Sequence, residues 1–293
     1  MSFSWDIKKK LCEILPDCPY CRRSELAGII GFSGDFTEDR LKLLTGHQML
    51  ADRIKEDIKE CIGFDVQITG EKSKRILIED KSVLENLRAY LFLDDEGDAL
   101  FESEMLGLDC CRASYIRGAF LSGGCVLDPK RSYHLEFDTK YRRSAGRMEK
   151  LLTEMGFPVK ITYRKGHHLV YAKELEAIAD ILGLIGAGGG ALTVYSVQVE
   201  KEMRNSINRQ VNCDTANANK LAAASLKQRT AILKIKNEYG LEYLPDNLRE
   251  LAELRLENPD ESLQTLGEML SKPIGKSGVN HRMNKIMEIA ENL

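Results

Sequence analysis

One nine-residue pattern occurs twice in the chain, ninety residues apart. Leu26-Ala27-Gly28-Ile29-Ile30-Gly31-Phe32-Ser33-Gly34 and Ile116-Arg117-Gly118-Ala119-Phe120-Leu121-Ser122-Gly123-Gly124 set Gly28 against Gly118 and Gly34 against Gly124. A glycine inside a helix costs ~1 kcal/mol relative to alanine, so several small residues in one helical stretch require a packing reason. Gly28 and Gly31 in one copy, with Gly118 and Ser122 in the other, supply it if two helices meet backbone to backbone at a pseudo-two-fold axis.

The duplication runs beyond the glycines. Gly63-Phe64-Asp65-Val66-Gln67-Ile68-Thr69 returns as Gly156-Phe157-Pro158-Val159-Lys160-Ile161-Thr162, and Arg75-Ile76-Leu77-Ile78 aligns at the same shift with His168-Leu169-Val170-Tyr171. Both stretches alternate apolar and polar residues around a turn and read as hairpins. A helical pattern precedes each (47–61 and 141–155) and another follows (82–91 and 173–184). A strand is predicted near Arg40–Leu44 in one copy and Ser132–Phe137 in the other, with room for a short strand directly after each motif helix. Repetition in both order and spacing identifies a duplicated αβ unit.

The plan is an α+β fold: a first repeat over 1–103, a second over 104–193, a connecting helix over 194–216 and an all-α unit over 217–293. Acidic Asp94–Asp98 reads as a linker between repeats, and the glycines of 186–191 as a flexible junction. Helices are predicted over Val194–Gln210, Thr215–Tyr239 and Leu248–Leu256. Ser262 can cap a helix with Leu263, Leu266 and Leu270 on one face. Residues 271–275 break it, and a second amphipathic helix from about Lys276 to Ala290 buries Val279, Met283, Ile286 and Ala290. Its other face shows Ser277, His281, Asn284 and Lys285, with Asn280 and Arg282 at the margins. A short helix, a glycine-containing turn and a basic helix make a helix-turn-helix plan, in which polar side chains reach base edges and Lys or Arg reaches phosphate.

The net charge of −3 hides a polarity along the chain. Residues 1–103 hold 15 Lys/Arg against 21 Asp/Glu, while 130–173 hold 11 against 4. Lys272, Lys276, Arg282 and Lys285 face no acid between Ser271 and Met287. Two basic zones on an acidic chain suit a polyanion, which makes Arg142, Arg143, Lys165 and Lys276 DNA-contact candidates beside the outward residues of the last helix. No apolar run approaches the ~20 residues of a membrane span, and the N-terminus lacks the apolar core of a signal peptide. The eight cysteines are sparse and irregular, as in a reduced cytoplasmic protein.

The paired nine-residue stretches resemble the motif helix of LAGLIDADG homing endonucleases, whose eighth position carries a metal-binding acid. Here those positions are Ser33 and Gly123. Over essentially its whole length the chain resembles the WhiA family of bacterial sporulation and cell-division regulators. The similarity is carried by 114–124, Ser132-Tyr133-His134-Leu135-Glu136, 203–213 and Lys276-Ser277-Gly278-Val279-Asn280-His281-Arg282. It implies a degenerate LAGLIDADG domain joined to a helix-turn-helix related to those of sigma factors. It further implies double-stranded promoter DNA as the partner, with other transcription regulators or RNA polymerase as further partners and no membrane. Nucleoid association is implied too, and nuclease activity, catalytic residues, cofactor and metal are all expected to be absent.

Two other readings compete. A working endonuclease needs a metal-bound carboxylate from each repeat, but Asp35 lies two residues past Ser33 and Asp128 five past Gly123, so their offsets differ. Redox or metal sensing through Cys18-Pro19-Tyr20-Cys21 needs a preceding strand to resemble a thiol oxidoreductase. No strand precedes it, Cys12 is the one other thiol nearby in sequence, and no second CxxC completes a zinc site. The string is therefore expected to be structural or incidental. His167-His168, in a hairpin without carboxylate or Cys at ligand spacing, is expected on a surface or facing DNA.

Overall fold

The computed structural model describes residues 2–16, 18–93 and 106–293, so the acidic linker expected at Asp94–Asp98 lies outside the described residues. The chain forms two compact units, Met1–Glu200 and Lys201–Leu293. Among the described residues, no helix is long and apolar enough to cross a membrane.

In the first unit the duplication is literal. After α1 (Phe3–Leu11), one repeat runs α2 (Pro19–Ser33), β1 (Asp35–Phe36), β2 (Leu41–Thr45), α3 (Gln48–Ile62), β3 (Ile68–Thr69), β4 (Lys74–Ile78) and α4 (Lys81–Leu91). The other runs α5 (Asp109–Gly123), β5 (Gly124–Val126), β6 (Leu135–Thr139), α6 (Arg142–Glu154), β7 (Lys160–Arg164), β8 (His167–Ala172) and α7 (Leu175–Leu184). Each repeat gives a four-stranded antiparallel sheet of the same order, β1-β2-β4-β3 and β5-β6-β8-β7. Alternation fixes the faces: Leu135, Phe137 and Thr139 of β6 point into the core, leaving Glu136 and Asp138 on the other side.

The motif helices α2 and α5 form the spine. A Cβ on Gly28 would lie 2.2 Å from the Tyr115 carbonyl oxygen, and one on Gly118 would lie 2.0 Å from that of Glu25. The two contacts are mirror images under the repeat, since Tyr115 precedes Gly118 by three residues as Glu25 precedes Gly28. Gly31 behaves otherwise: a Cβ there meets nothing nearer than 3.7 Å. Ser122 also contributes no cross-helix contact through its hydroxyl, which donates to Gly118 O of its own helix at 3.1 Å. The closest approach thus rests on Gly28 and Gly118, while Gly123 at the end of α5 lies near the Phe32 carbonyl of α2, 3.3 Å from an added Cβ.

A charged network crosses the same interface. Fully buried Glu25 accepts from Arg53 of α3 at 2.7 Å and from Arg117 of α5 at 2.6 Å. Asp57, also buried, accepts from Arg22 at 2.8 Å, with Arg53 3.9 Å away. Burial first, and then the charge of Glu25, raise the Asp57 carboxyl to about 7 against the pull of Arg53 and Arg22.

The glycines at 188–190 do not form a flexible junction but open α8 (Gly188–Tyr239). That helix runs without the break expected between Gln210 and Thr215. No Pro or Gly interrupts the stretch, and the Gln210 amide donates to Asp214 at 3.1 Å, one turn on.

In the second unit, the end of α8 packs with α9 (Asp246–Glu257), α10 (Leu263–Met269) and α11 (Lys276–Glu291). Leu248, Leu251, Leu266, Leu270, Val279, Met283, Ile286 and Ala290 form its core. Arg255, 1 % exposed, donates to the Asn258, Pro259 and Glu261 carbonyls and so fixes the α9–α10 connection.

Candidate nucleic-acid interface and the motif cleft

Ser262 caps α10 by accepting from the Thr265 N–H at 3.1 Å, after which the chain breaks at 270–275 and re-enters a helix at Lys276. The side of α11 away from the core exposes Ser277, Asn280, His281, Asn284 and Lys285, as well as Lys276 in the first turn. That turn holds no acid, although an acid there would favour the helix dipole. Arg282 is half-buried and donates to the Asn247 carbonyl at 3.3 Å, which ties it to α9. α11 therefore carries a protruding row of short polar and basic side chains on a helix locked from behind by Val279, Met283 and Ile286.

In the first unit, Arg142 and Arg143 are exposed in the first turn of α6, where the helix dipole opposes cations. Lys165 is exposed at the tip of the β7–β8 hairpin. Lys165 (φ 52°) and Gly166 (φ 85°) are both left-handed, as a two-residue type I′ turn requires. All five residues of β7 are exposed.

The carboxyl ends of α2 and α5 open into a cleft of about 360 Å³ whose lining includes Ser33, Asp35, Gly123, Asp138, Lys140 and His167. These are the motif ends, and neither eighth position offers a carboxylate. The Ser33 hydroxyl donates back to Ile29 O at 3.0 Å. Gly123 has no room for any side chain, because a Cβ would lie 2.2 Å from the Asp138 carbonyl oxygen. Asp35 lines the cleft but is paired with Arg40 at 2.9 Å. Asp128 does not line it; its carboxylate accepts from the Lys130 N–H at 2.9 Å.

Two neighbourhoods differ from the sequence reading. His167 does have a carboxylate partner, since β6 brings the Asp138 carboxylate to 2.5 Å from its Nδ1. The strand expected over Ser132–Phe137 stops short of Asp138, and the pairing needs the β6–β8 register that sets Asp138 against Leu169. Cys18 and Cys21 likewise have thiol neighbours beyond Cys12, because packing of α2 on α5 brings Cys110 and Cys111 against them. Spacing along the chain could not show either meeting, since both join residues on separate elements.

With this geometry in view, comparison with known proteins is direct. The model for the WhiA LAGLIDADG-like domain matches residues 112–204, and that for the WhiA C-terminal HTH domain matches 207–290. The probable cell division protein WhiA of Alkaliphilus metalliredigens is 36% identical over 310 residues, covering 99% of this chain and 98% of the relative. That of Desulfitobacterium hafniense strain Y51 is 40% identical over 306 residues, covering 100% and 96%. Among solved structures, full-length DUF199/WhiA from Thermotoga maritima has a TM-score of 0.62 at 25% identity, covering 100% of this chain and 99% of that one. The N-terminal LAGLIDADG domain of DUF199/WhiA shares the fold, with a TM-score of 0.52 at 22% identity over 63% of this chain and 92% of its own.

Proposed function

This chain belongs to the WhiA family, and on that premise we propose that it is a sequence-specific DNA-binding regulator of cell-division and sporulation genes that does not cleave DNA. The observation that carries the reading is α11, a helix anchored by four buried apolar residues whose opposite face exposes Ser277, His281, Asn284 and Lys285. A recognition helix needs this combination: rigid backing, and short hydrogen-bonding side chains that can approach base edges in the major groove. Arg142, Arg143 and Lys165 supply a second, phosphate-directed surface on the first unit. The protein's place is then the cytoplasm, on the nucleoid, with promoter DNA as its partner.

The motif positions in the cleft support the absence of cleavage. A metal-assisted displacement needs paired carboxylates to hold the ion. One motif acid position is a serine bonded to its own helix, and the other is sterically closed to any side chain.

Binding of full-length protein to promoter fragments tests the reading in the presence of Mg²⁺. Asn284→Ala should relax sequence preference at one position of the site by ~1–3 kcal/mol. Lys285→Ala should instead weaken binding to all sequences and lower the salt slope by ~1. The DNA should be recovered uncut. Folded variants that both keep parental affinity and specificity would remove α11 from recognition, and Mg²⁺-dependent nicking that disappears with Asp35→Asn would restore the endonuclease reading.

A further inference from the structure

We propose that Cys18, Cys21, Cys110 and Cys111 form a mononuclear zinc site that clamps the amino-terminal ends of α2 and α5. The Cys18 sulfur lies 3.4 Å from Cys21, 3.6 Å from Cys111 and 3.8 Å from Cys110. All four ligand atoms fall within 4.8 Å of one another. Four sulfurs around a tetrahedral zinc, each at ~2.3 Å, stand about 3.8 Å apart. The thiols thus already occupy, to within about an ångström, the corners such an ion would impose. All four are free cysteines.

The donor set selects the ion. Four thiolates at tetrahedral spacing suit zinc, whose filled d shell imposes no other geometry. A four-iron cluster places each thiolate on a separate iron around a larger core, so sulfurs gathered this tightly fit a single metal. The local backbone favours the charged ligands. Cys18 is the N-cap of α2, Cys21 lies in its first turn, and Cys110 with Cys111 lies in the first turn of α5. The positive ends of two helices therefore face the cluster, where they offset part of the negative charge of metal-bound thiolates. Cys21 and Cys111 are fully buried, while Cys18 and Cys110 are half-buried, which leaves the ion a route in.

This position is not that of the nuclease metal. α2 has 15 residues, and at ~1.5 Å of rise per residue its two ends are about 20 Å apart. The cysteines stand at one end of the helix pair and the Ser33/Gly123 cleft at the other. The zinc would be structural: each repeat gives two ligands, and they come from positions 92 and 93 residues apart. Loading the ion is thereby coupled to docking one motif helix on the other.

Elemental analysis of full-length protein, purified reduced and without chelator, tests this. It should contain about one zinc per chain, and Cys18→Ser and Cys110→Ser should each cut that at least ~10-fold. Cys61→Ser and Cys213→Ser, outside the cluster, should leave it unchanged. Replacing zinc with Co²⁺ should give the thiolate-to-cobalt charge-transfer and visible d–d bands of tetrahedral sulfur ligation. Should the serine variants be too unstable to purify, the Co²⁺ spectrum of the parent decides alone. Cobalt bands of octahedral oxygen or nitrogen ligation, metal well below one per chain, or metal retained in both cluster variants would each overturn the assignment.

Discussion

The two repeats share a topology and differ in where they keep their charge. At the 94-residue shift that sets the α3 N-cap His47 on Tyr141 of α6 and buried Ala51 on Ala145, Arg53 and Asp57 correspond to Arg147 and Leu151. At the shift that aligns the motif helices, Glu25 corresponds to Tyr115 and Ala27 to Arg117. The first repeat turns its charges inward: Glu25 and Asp57 are buried among Arg22, Arg53 and Arg117. The second gives one buried charge to that network, Arg117, and keeps Lys150, Arg142, Arg143 and Lys165 exposed. Its hairpin is also longer, five residues in β7 against two in β3. The duplication has therefore split its labour: one copy locks the helix pair, and the other presents a basic face. Only the glycine contact remains symmetric.

That symmetry gives the largest expected effect. Gly118→Ala drives a Cβ into the Glu25 carbonyl, and Gly28→Ala into that of Tyr115. Both obstacles are backbone, so neither can rotate away, and each variant should lose about 3 kcal/mol or more in urea unfolding. Gly146→Ala is the contrast, a helical glycine with nothing within 4 Å of the added methyl; it should be neutral or gain up to ~1 kcal/mol. Unequal losses at 28 and 118 would show that the pseudo-symmetry of the contact does not extend to its energetics.

Charge placement gives the next effect. Reversing Arg142, Arg143 and Lys165 together should lower the salt slope of DNA binding by about 2–3. Reversing Lys55, Lys59 and Lys72 of the first repeat should change it by less than about 1. Lys55 already sits 3.2 Å from Asp65, and the surface around it is acidic overall. Equal losses from the two sets would mean that both sheets engage phosphate and that the charge asymmetry has no part in binding.

Much of this architecture was legible in the sequence because it rests on local periodicity and on repetition. Alternation located the strands, and the buried row Val279, Met283, Ile286 and Ala290 of α11 was readable from helical spacing alone. What could not be read was produced by tertiary meeting. Gly31 looked as important as Gly28, yet only Gly28 faces a carbonyl of the other helix. The exclusion of a side chain from position 123 depends on the path of β6 behind it. Cys18 and Cys21 have no thiol but Cys12 near them in sequence because their partners lie in the other repeat, and no pattern in the sequence marks Asp57 as buried. Each of these is set by how α2, α3 and α5 pack, which no window of the sequence encodes.

Asp57 provides the smallest and most selective test of the inward-facing network. Its folded-state carboxyl titrates at about 7, raised first by burial and then by Glu25, with Arg53 and Arg22 opposing. In the unfolded chain it titrates near ~3.9. Between these values the folded protein holds a proton that the unfolded chain has released, so this group's contribution to stability is complete below about pH 4, declines as pH rises, and is lost above about pH 7. Asp57→Asn cannot titrate, and its unfolding free energy should fall less than the parent's between about pH 5 and pH 8. Lys150→Ala, on the exposed face of α6 in the second repeat, should leave the parental slope intact. The comparison uses slopes because Asp57→Asn also removes the 2.8 Å ion pair with Arg22, which lowers stability at the pH values where that pair is charged. A parental slope in Asp57→Asn would mean that Arg22 and Arg53 keep the carboxylate ionised throughout, and the first repeat would then hold a fully charged network in its core.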